Sequence, residues 1–348
     1  MKKKIIHIVP ENRLGGIFTY IQRLTFYERD NHKHFLFKDQ PKLKGLFYYN
    51  FNTFNLRKYF SYLIVLDLIF NTPLYTLKIF RSNKVFFHTP FMIFHHILFL
   101  LIGKDSYLII HDFNIPFLIE IIIKFFKPKN IYCASEVLKK NFQYLNFVGI
   151  LYPFYTEQDL KILLNYKSIN FEKKENIIFL GNINKVKQIS EFCILFENYL
   201  KNIKPGLKLS IFGQIIDRKI YYKIKNLNSD SISIFNPIPH SKINNILEKY
   251  KFIIIPSESE VFPIIYYESL KANLIPLVNN IDFFRLTSGD CGRHIFNLNN
   301  YQSVISTFIW ANNLDYDEYT RYINKLKSNF YSFYKRNNNQ IKKVLDYI

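Results

Sequence analysis

Short runs of β-branched and aromatic residues alternate with longer helical patterns along most of the chain. Such alternation closes most readily as βαβ units around parallel sheets, because each strand must bury both faces under helices. In the first half the strand candidates are residues 4–9, 35–38, 84–87, 107–111 and 130–133, with helical patterns over 17–28, 91–102 and 116–126. In the second half the strands read as 176–180, 207–212, 231–235, 252–255 and 275–278. Helices there read as 187–200, 219–227, 241–249 and 263–271. The periodicity weakens over 155–175. The 348 residues therefore read as two doubly wound α/β domains, 1–165 and 166–315. A tail, 316–348, reads as one or two polar helices expected to pack back on the first domain.

Composition removes several classes. A hydrophobic content of 49% with 18% aromatics excludes a disordered chain. No apolar run reaches the ~18–20 residues of a spanning helix; the longest, 91–103, is interrupted by His95 and His96. Lys2, Lys3 and Lys4 resemble the start of a secretion signal, but the apolar stretch 5–9 ends at Pro10 and reads better as a first strand. Cys133, Cys193 and Cys291 are odd in number and far apart, which fits a reduced cytoplasm. No metal is expected, since no His, Cys, Asp or Glu cluster has ligand spacing.

The formal net charge is +20, and residues 1–150 hold 21 Lys/Arg against 9 Asp/Glu. That favours an anionic partner, either nucleic acid or an anionic membrane leaflet. No helix-turn-helix, zinc or RNA-binding signature supports nucleic acid. Part of the excess also reflects the Asn-, Lys- and Ile-rich composition expected of an AT-rich coding sequence. Residues 115–127 carry Glu120, Lys124 and Lys127 on one narrow stripe, with nearly everything else apolar. Such a helix is either packed on a sheet or lying at a lipid interface. Lys129 and the aromatic stretch 47–60, with Arg57 and Lys58, point to peripheral docking on the inner face of a membrane.

The strongest local signal is PSESEVFPIIYYE, residues 256–268, which follows an apolar strand and enters a helix near Pro263. A helix start offers free N–H groups and a positive dipole end, a natural seat for a pyrophosphate. Glu260 stands beside that end and Glu268 over one turn inside. Paired acceptor-only carboxylates at an anion site make sense if they bind hydroxyls, as on a sugar and a ribose. The plain structural alternative is a capping cluster with a solvated glutamate.

This pattern resembles the P-S-x-x-E-x-F-P-x-x-x-x-E signature of nucleotide-sugar glycosyltransferases of the GT-B fold, in particular glycosyltransferase family four. Its two glutamates match Glu260 and Glu268, and Phe262, Pro263 and Ile264 fall within it. The following run ESLKANLIPLV resembles the family's E-A-L-A-x-G-x-P-V-V, with Asn273 where the family has Gly. Val261 replaces a frequent Gly. The segment from Gly181 to Lys187 resembles G-R-L-x-x-x-K, with Asn182 in place of Arg. The resemblance implies that Lys187, or its rival Lys185, contacts the donor diphosphate. Gly213 follows a strand where the backbone would approach the nucleotide. Gly15 and Gly16 resemble a glycine loop facing donor phosphate and acceptor. His111, before Asp112, resembles the family's strand-end His-Asp at the reacting centre, and His88 another strand-end histidine.

The resemblance implies two Rossmann-like domains facing across a cleft. It implies transfer, with retained anomeric configuration, from a nucleotide diphosphate sugar to a glycan acceptor without a bound metal. The basic, aromatic first half points to a polyprenyl-linked intermediate of bacterial surface polysaccharide, such as O-antigen or capsule. Two alternatives remain: a GT-B-like protein that binds a nucleotide sugar or partner without turnover, motivated by Asn182, and a basic nucleic-acid-binding protein.

Overall fold

Strands flanked by helices on both faces should show continuous rather than alternating burial. All of Lys84–Phe87 and all of Phe252–Ile255 are buried in this way. The computed structural model describes the strands Ile5–Val9, His32–Leu36 and Leu46–Tyr48. It further describes residues 84–88, 90–111, 115, 117–153, 155, 157–164, 176–239 and 242–346. The chain divides into two units, Met1–Tyr155 with Asn337–Ile348, and Thr156–Arg336. The helix Glu157–Leu164, which the sequence places in the first domain, belongs to the second unit, where the Tyr267 hydroxyl donates to the Asp159 carbonyl at 3.1 Å.

In the first unit β1 (Ile5–Val9), β2 (His32–Leu36), β3 (Leu46–Tyr48), β4 (Lys84–Phe87), β5 (Asp105–Ile110), β6 (Ile131–Cys133) and β7 (Gly149–Ile150) form one sheet. Its order is 3-2-1-4-5-6-7 and every pairing is parallel. In the second unit β8 (Ile177–Leu180), β9 (Leu209–Phe212), β10 (Ile232–Phe235), β11 (Phe252–Ile255), β12 (Ile275–Asn279) and β13 (Ile295–Phe296) form another. Its order is 10-9-8-11-12-13, again parallel throughout. Both are doubly wound α/β sheets.

The end of the chain takes the one-helix form of the sequence reading but differs in its buried stripe. Tyr316–Asp346 is one helix, and its described part is amphipathic rather than polar. Tyr319, Ile323, Leu326, Phe330 and Phe333 are buried at helical spacing. Tyr319 fixes it to the sheet. Its hydroxyl lies 2.8 Å from the carbonyls of both Lys251 and Asn273, donating to one at a time, and accepts from the Ile275 N–H at 3.3 Å. Asn273, at φ 58°, closes the helix Ile264–Lys271 in the left-handed conformation that Asn tolerates. Its side-chain oxygen accepts from the buried Lys327 ammonium.

Tyr319→Phe removes a hydroxyl that satisfies buried backbone groups while keeping the ring. Leaving such groups unpaired costs about 1–3 kcal/mol. The variant is expected to lose that much stability in urea unfolding with the m-value unchanged. A loss within error would show that water reaches these carbonyls.

Candidate functional site

The strand order of the second sheet reverses between β8 and β11. Chain order runs outward through β9 and β10 on one side and through β12 and β13 on the other. Ligands of open α/β sheets bind outside the carboxyl ends of the strands at such a reversal. Here β8 and β11 pair only through Phe252↔Ile177 and Ile253↔Ile178. By contrast β8 pairs with β9, and β11 with β12, over four positions each. The pairing of the central strands ends at Ile178 and Ile253, and the loops after Leu180 and after Ile255 form the two banks of the reversal point.

One bank is shaped by backbone constraint. The Gly181 N–H donates to the Phe212 carbonyl at 3.0 Å, so the turns after β8 and β9 run side by side. A Cβ built on Gly213 would lie 1.8 Å from the Gly181 carbonyl oxygen, and only glycine fits. An isolated bridge between Ile183 and Ile215 continues the contact. The chain then makes a 3-10 turn at Lys185–Lys187, capped by the Asn184 side chain, which accepts from the Lys187 N–H at 3.1 Å. Gln188, at φ 47°, breaks the path before the helix Ile189–Leu195. Lys187 thus sits in a separate turn and not in the helix expected over 187–200. Lys185 is more exposed and lines an open hollow with Asn184, Arg218 and Lys219.

The other bank brings the carboxylate to that lysine. Glu260 forms an ion pair with Lys187, and their side chains are only 10% and 26% exposed. The fully buried Ser257 donates to the same Glu260 oxygen at 2.6 Å. The two banks are also tied through the backbone, where the Glu258 N–H donates to the Val186 carbonyl at 2.9 Å. Ser257 and Asn279 were not singled out by sequence. Asn279 donates from its side chain to the Ser257 carbonyl at 3.2 Å and accepts from the Leu298 N–H at 3.0 Å. The available signals were the second position of PSESE and the carboxyl end of β12.

The remaining motif residues divide. Pro263 is buried and stands at the N-cap of the helix Ile264–Lys271, on which Glu268 is buried. Phe262 turns instead into an aromatic cluster, its ring centroid 5.2 Å from Phe283 and 5.8 Å from Tyr334. Gly15, Gly16 and Asp112 lie outside the described residues.

In the first unit the adjacent strands β4 and β5 end in His88 and His111. Both are buried, with His88 Nδ1 3.0 Å from His111 Nε2 and the rings stacked at 5.3 Å. Burial lowers the His111 pKa to about 3, so at neutral pH it is an uncharged hydrogen-bonding group rather than an acid. Burial likewise lowers His294 to about 3 and His95 and His96 to about 4. His96 is held between the Ser106 hydroxyl at 2.7 Å and the Lys129 carbonyl at 2.8 Å.

These imidazoles fold neutral, with pKa values below the unfolded 6.5, so protonation favours unfolding. Their contribution is complete above pH 6.5 and is lost as pH falls toward 3–4. Each should cost about 1.4 kcal/mol per pH unit below 6.5. Urea unfolding between pH 7 and 5 should show a steep loss, shallower in His96→Asn once its lower starting stability is allowed for. A flat profile would mean that these rings are solvated.

No curated protein matches the chain. Several solved structures do. A glycosyltransferase from Rickettsia africae is 16% identical, with a TM-score of 0.72 over 99% of each chain. A sucrose-phosphate synthase from Thermosynechococcus elongatus is 10% identical, with a TM-score of 0.75 over 99% of this chain and 100% of its own. HepE from Anabaena, in complex with UDP and glucose, is 10% identical, with a TM-score of 0.70 over the same shares. At these identities the likeness is one of fold. Residues 164–343, which include both banks of the reversal point, match the family described as Glycosyl transferases group 1. More than half of the chain is covered, and the protein belongs to the group 1 glycosyl transferases.

Proposed function

We propose that this glycosyltransferase is of the family-four type and moves a sugar from a nucleoside diphosphate sugar to a glycan acceptor with retention of configuration. The acceptor we favour is a polyprenyl-linked intermediate of bacterial surface polysaccharide, reached at the inner face of the membrane. One observation carries the donor assignment: Lys187 and Glu260 are paired across the reversal point of the second sheet, with Glu260 on the loop that leads into the helix Ile264–Lys271, which carries the buried Glu268.

The roles follow from charge. Lys187 and the positive end of the helix Ile264–Lys271 would neutralise the leaving diphosphate. In that role a bound diphosphate competes with Glu260 for the ammonium. Glu260, released from Lys187, would accept hydrogen bonds from sugar hydroxyls, and Glu268 from the ribose. His111 would face the reacting centre as a neutral partner. Asn182 leaves one cationic contact unfilled, and Arg218 and Lys219, which line a hollow with Lys185, are basic candidates to supply it. The binder without turnover is the competing reading, motivated by Asn182.

The first test is thermal shift over a panel of nucleotide sugars with UDP-glucose first, since HepE was solved with UDP and glucose. Donor hydrolysis then separates an enzyme from a binder. Lys187→Ala and Glu268→Ala should each weaken donor binding by about ten- to a hundredfold, the value of a charged hydrogen bond. Lys185→Ala should change it little; a larger effect there would exchange the two lysines.

Glu260→Gln gives a sharper outcome. Removing the competing carboxylate should leave UDP binding unchanged or tighter while sugar transfer or donor hydrolysis falls strongly. Weaker UDP binding in this variant would place Glu260 on the nucleotide instead.

A further inference from the structure

The helices Ile93–Leu101 and Phe117–Phe126 connect β4 to β5 and β5 to β6, three strands that are neighbours in that order. Successive right-handed crossovers in one direction place both helices on the same face of the sheet, and the two helices pack against each other. Their inner positions are filled as expected, with Ile93, His96 and Phe99 on one and Ile119 and Ile123 on the other buried.

Their outer positions are not polar. On the first helix and its end Phe94, Leu98, Leu101 and Ile102 are exposed at spacings of four, seven and eight. On the second, Phe117, Ile121 and Phe125 are exposed at spacings of four and eight. Leu101, Phe117 and Phe125 keep 79%, 74% and 80% of their surface in contact with solvent. Two parallel apolar stripes on packed helices make one continuous face, and such faces mark interaction surfaces.

The rim chooses the partner. Lys124, Lys127 and Lys129 are exposed along the second helix and its exit. The acidic group beside them is held aside, with Glu120 accepting from the Tyr144 hydroxyl and the Lys124 ammonium 4.1 Å from the centroid of the same ring. A second copy would bring two lysine-rimmed faces together within a protein of net charge +20. An anionic bilayer meets both features, because headgroups attract the lysines while Phe and Leu enter the acyl boundary.

We propose that this two-helix face docks the first unit on an anionic lipid bilayer. The lipid-linked acceptor suggested above gives docking its purpose, but adsorption stands on the face alone.

The test is sedimentation of the full chain with vesicles of equal parts phosphatidylglycerol and phosphatidylethanolamine, and with phosphatidylcholine alone. Binding to the anionic vesicles is expected to be only partly reversed by high salt, and binding to phosphatidylcholine to be weak. Leu101→Ser, Phe117→Ser and Phe125→Ser combined should abolish the salt-resistant part, a loss of about tenfold or more in partitioning. Lys124→Glu, Lys127→Glu and Lys129→Glu combined should remove the salt-sensitive part. All changes are at exposed positions, and the thermal midpoint checks that each variant folds; Phe125→Ser alone replaces the triple serine variant should that one fail. Wild-type protein left in the supernatant with anionic vesicles at low salt overturns the proposal. So does serine-variant binding equal to wild type, or a wild-type dimer that the serine variant converts to monomer without vesicle binding. UDP-induced thermal shifts in the same samples keep the outcomes apart. Docking without any nucleotide response fails the donor reading alone, and a nucleotide response without docking fails this one alone.

Discussion

The candidate site depends on two central strands that stay together for only two residue pairs. β8 and β11 are the pair at which the chain order reverses, so the loops after them leave the sheet where ligands of such sheets bind. The short pairing of these strands is tolerated because each is held on its other side by a full parallel partner, β9 or β12. What holds the banks at a fixed separation is backbone. The Glu258 to Val186 hydrogen bond joins the two banks, while Gly181 and Gly213 let the turns after β8 and β9 touch within one of them. The side chains of Lys187, Ser257 and Glu260 are then presented by that frame.

Within that frame the ion pair solves an electrostatic problem. A carboxylate only 10% exposed is costly without compensation, and breaking such a pair by removing one partner is far worse than never having it. Lys187 and the Ser257 hydroxyl both engage the Glu260 carboxylate and supply that compensation. The same pairing makes the lysine available to a competing anion of higher charge, because the loss of one partner is made good by another. On the proposed roles, such a pre-paired site would discriminate for ligands that offer both a diphosphate for the ammonium and hydroxyls for the freed carboxylate.

The parallel architecture was legible because buried parallel strands read as continuous apolar runs, and Lys84–Phe87 and Phe252–Ile255 keep their expected bounds to the residue. Edge elements were not. The strands Gly149–Ile150 and Ile295–Phe296 have two residues each, too short to carry any period. The helix Tyr301–Asn312 was missed because β-branched and polar residues blur its stripe, although Asn300 caps it through the N–H groups of Gln302 and Ser303. In the site, the Glu260 motif could be read because its residues are contiguous. Ser257, Asn279 and the turn that isolates Lys187 could not, since their meaning comes from pairing across the sheet reversal. Phe262 shows the converse, a motif residue whose ring is spent on the core.

Coding bias toward Phe, Ile and Lys accounts for abundance but not for placement. In the second unit the helix Arg218–Lys225, built from Lys, Arg, Ile and Tyr, buries Ile224 and turns Arg218, Lys219, Lys223 and Lys225 outward, leaving the Tyr222 ring exposed. Phe117–Phe126 inverts that arrangement, burying only Ile119 and Ile123 and leaving phenylalanines in water. Each exposed aromatic forgoes the roughly 1.5–3 kcal/mol that burial would contribute. A bias in composition does not decide which face of a helix its apolar residues occupy. That it does not makes the apolar face of the first unit a feature of position, and position is what a binding surface requires.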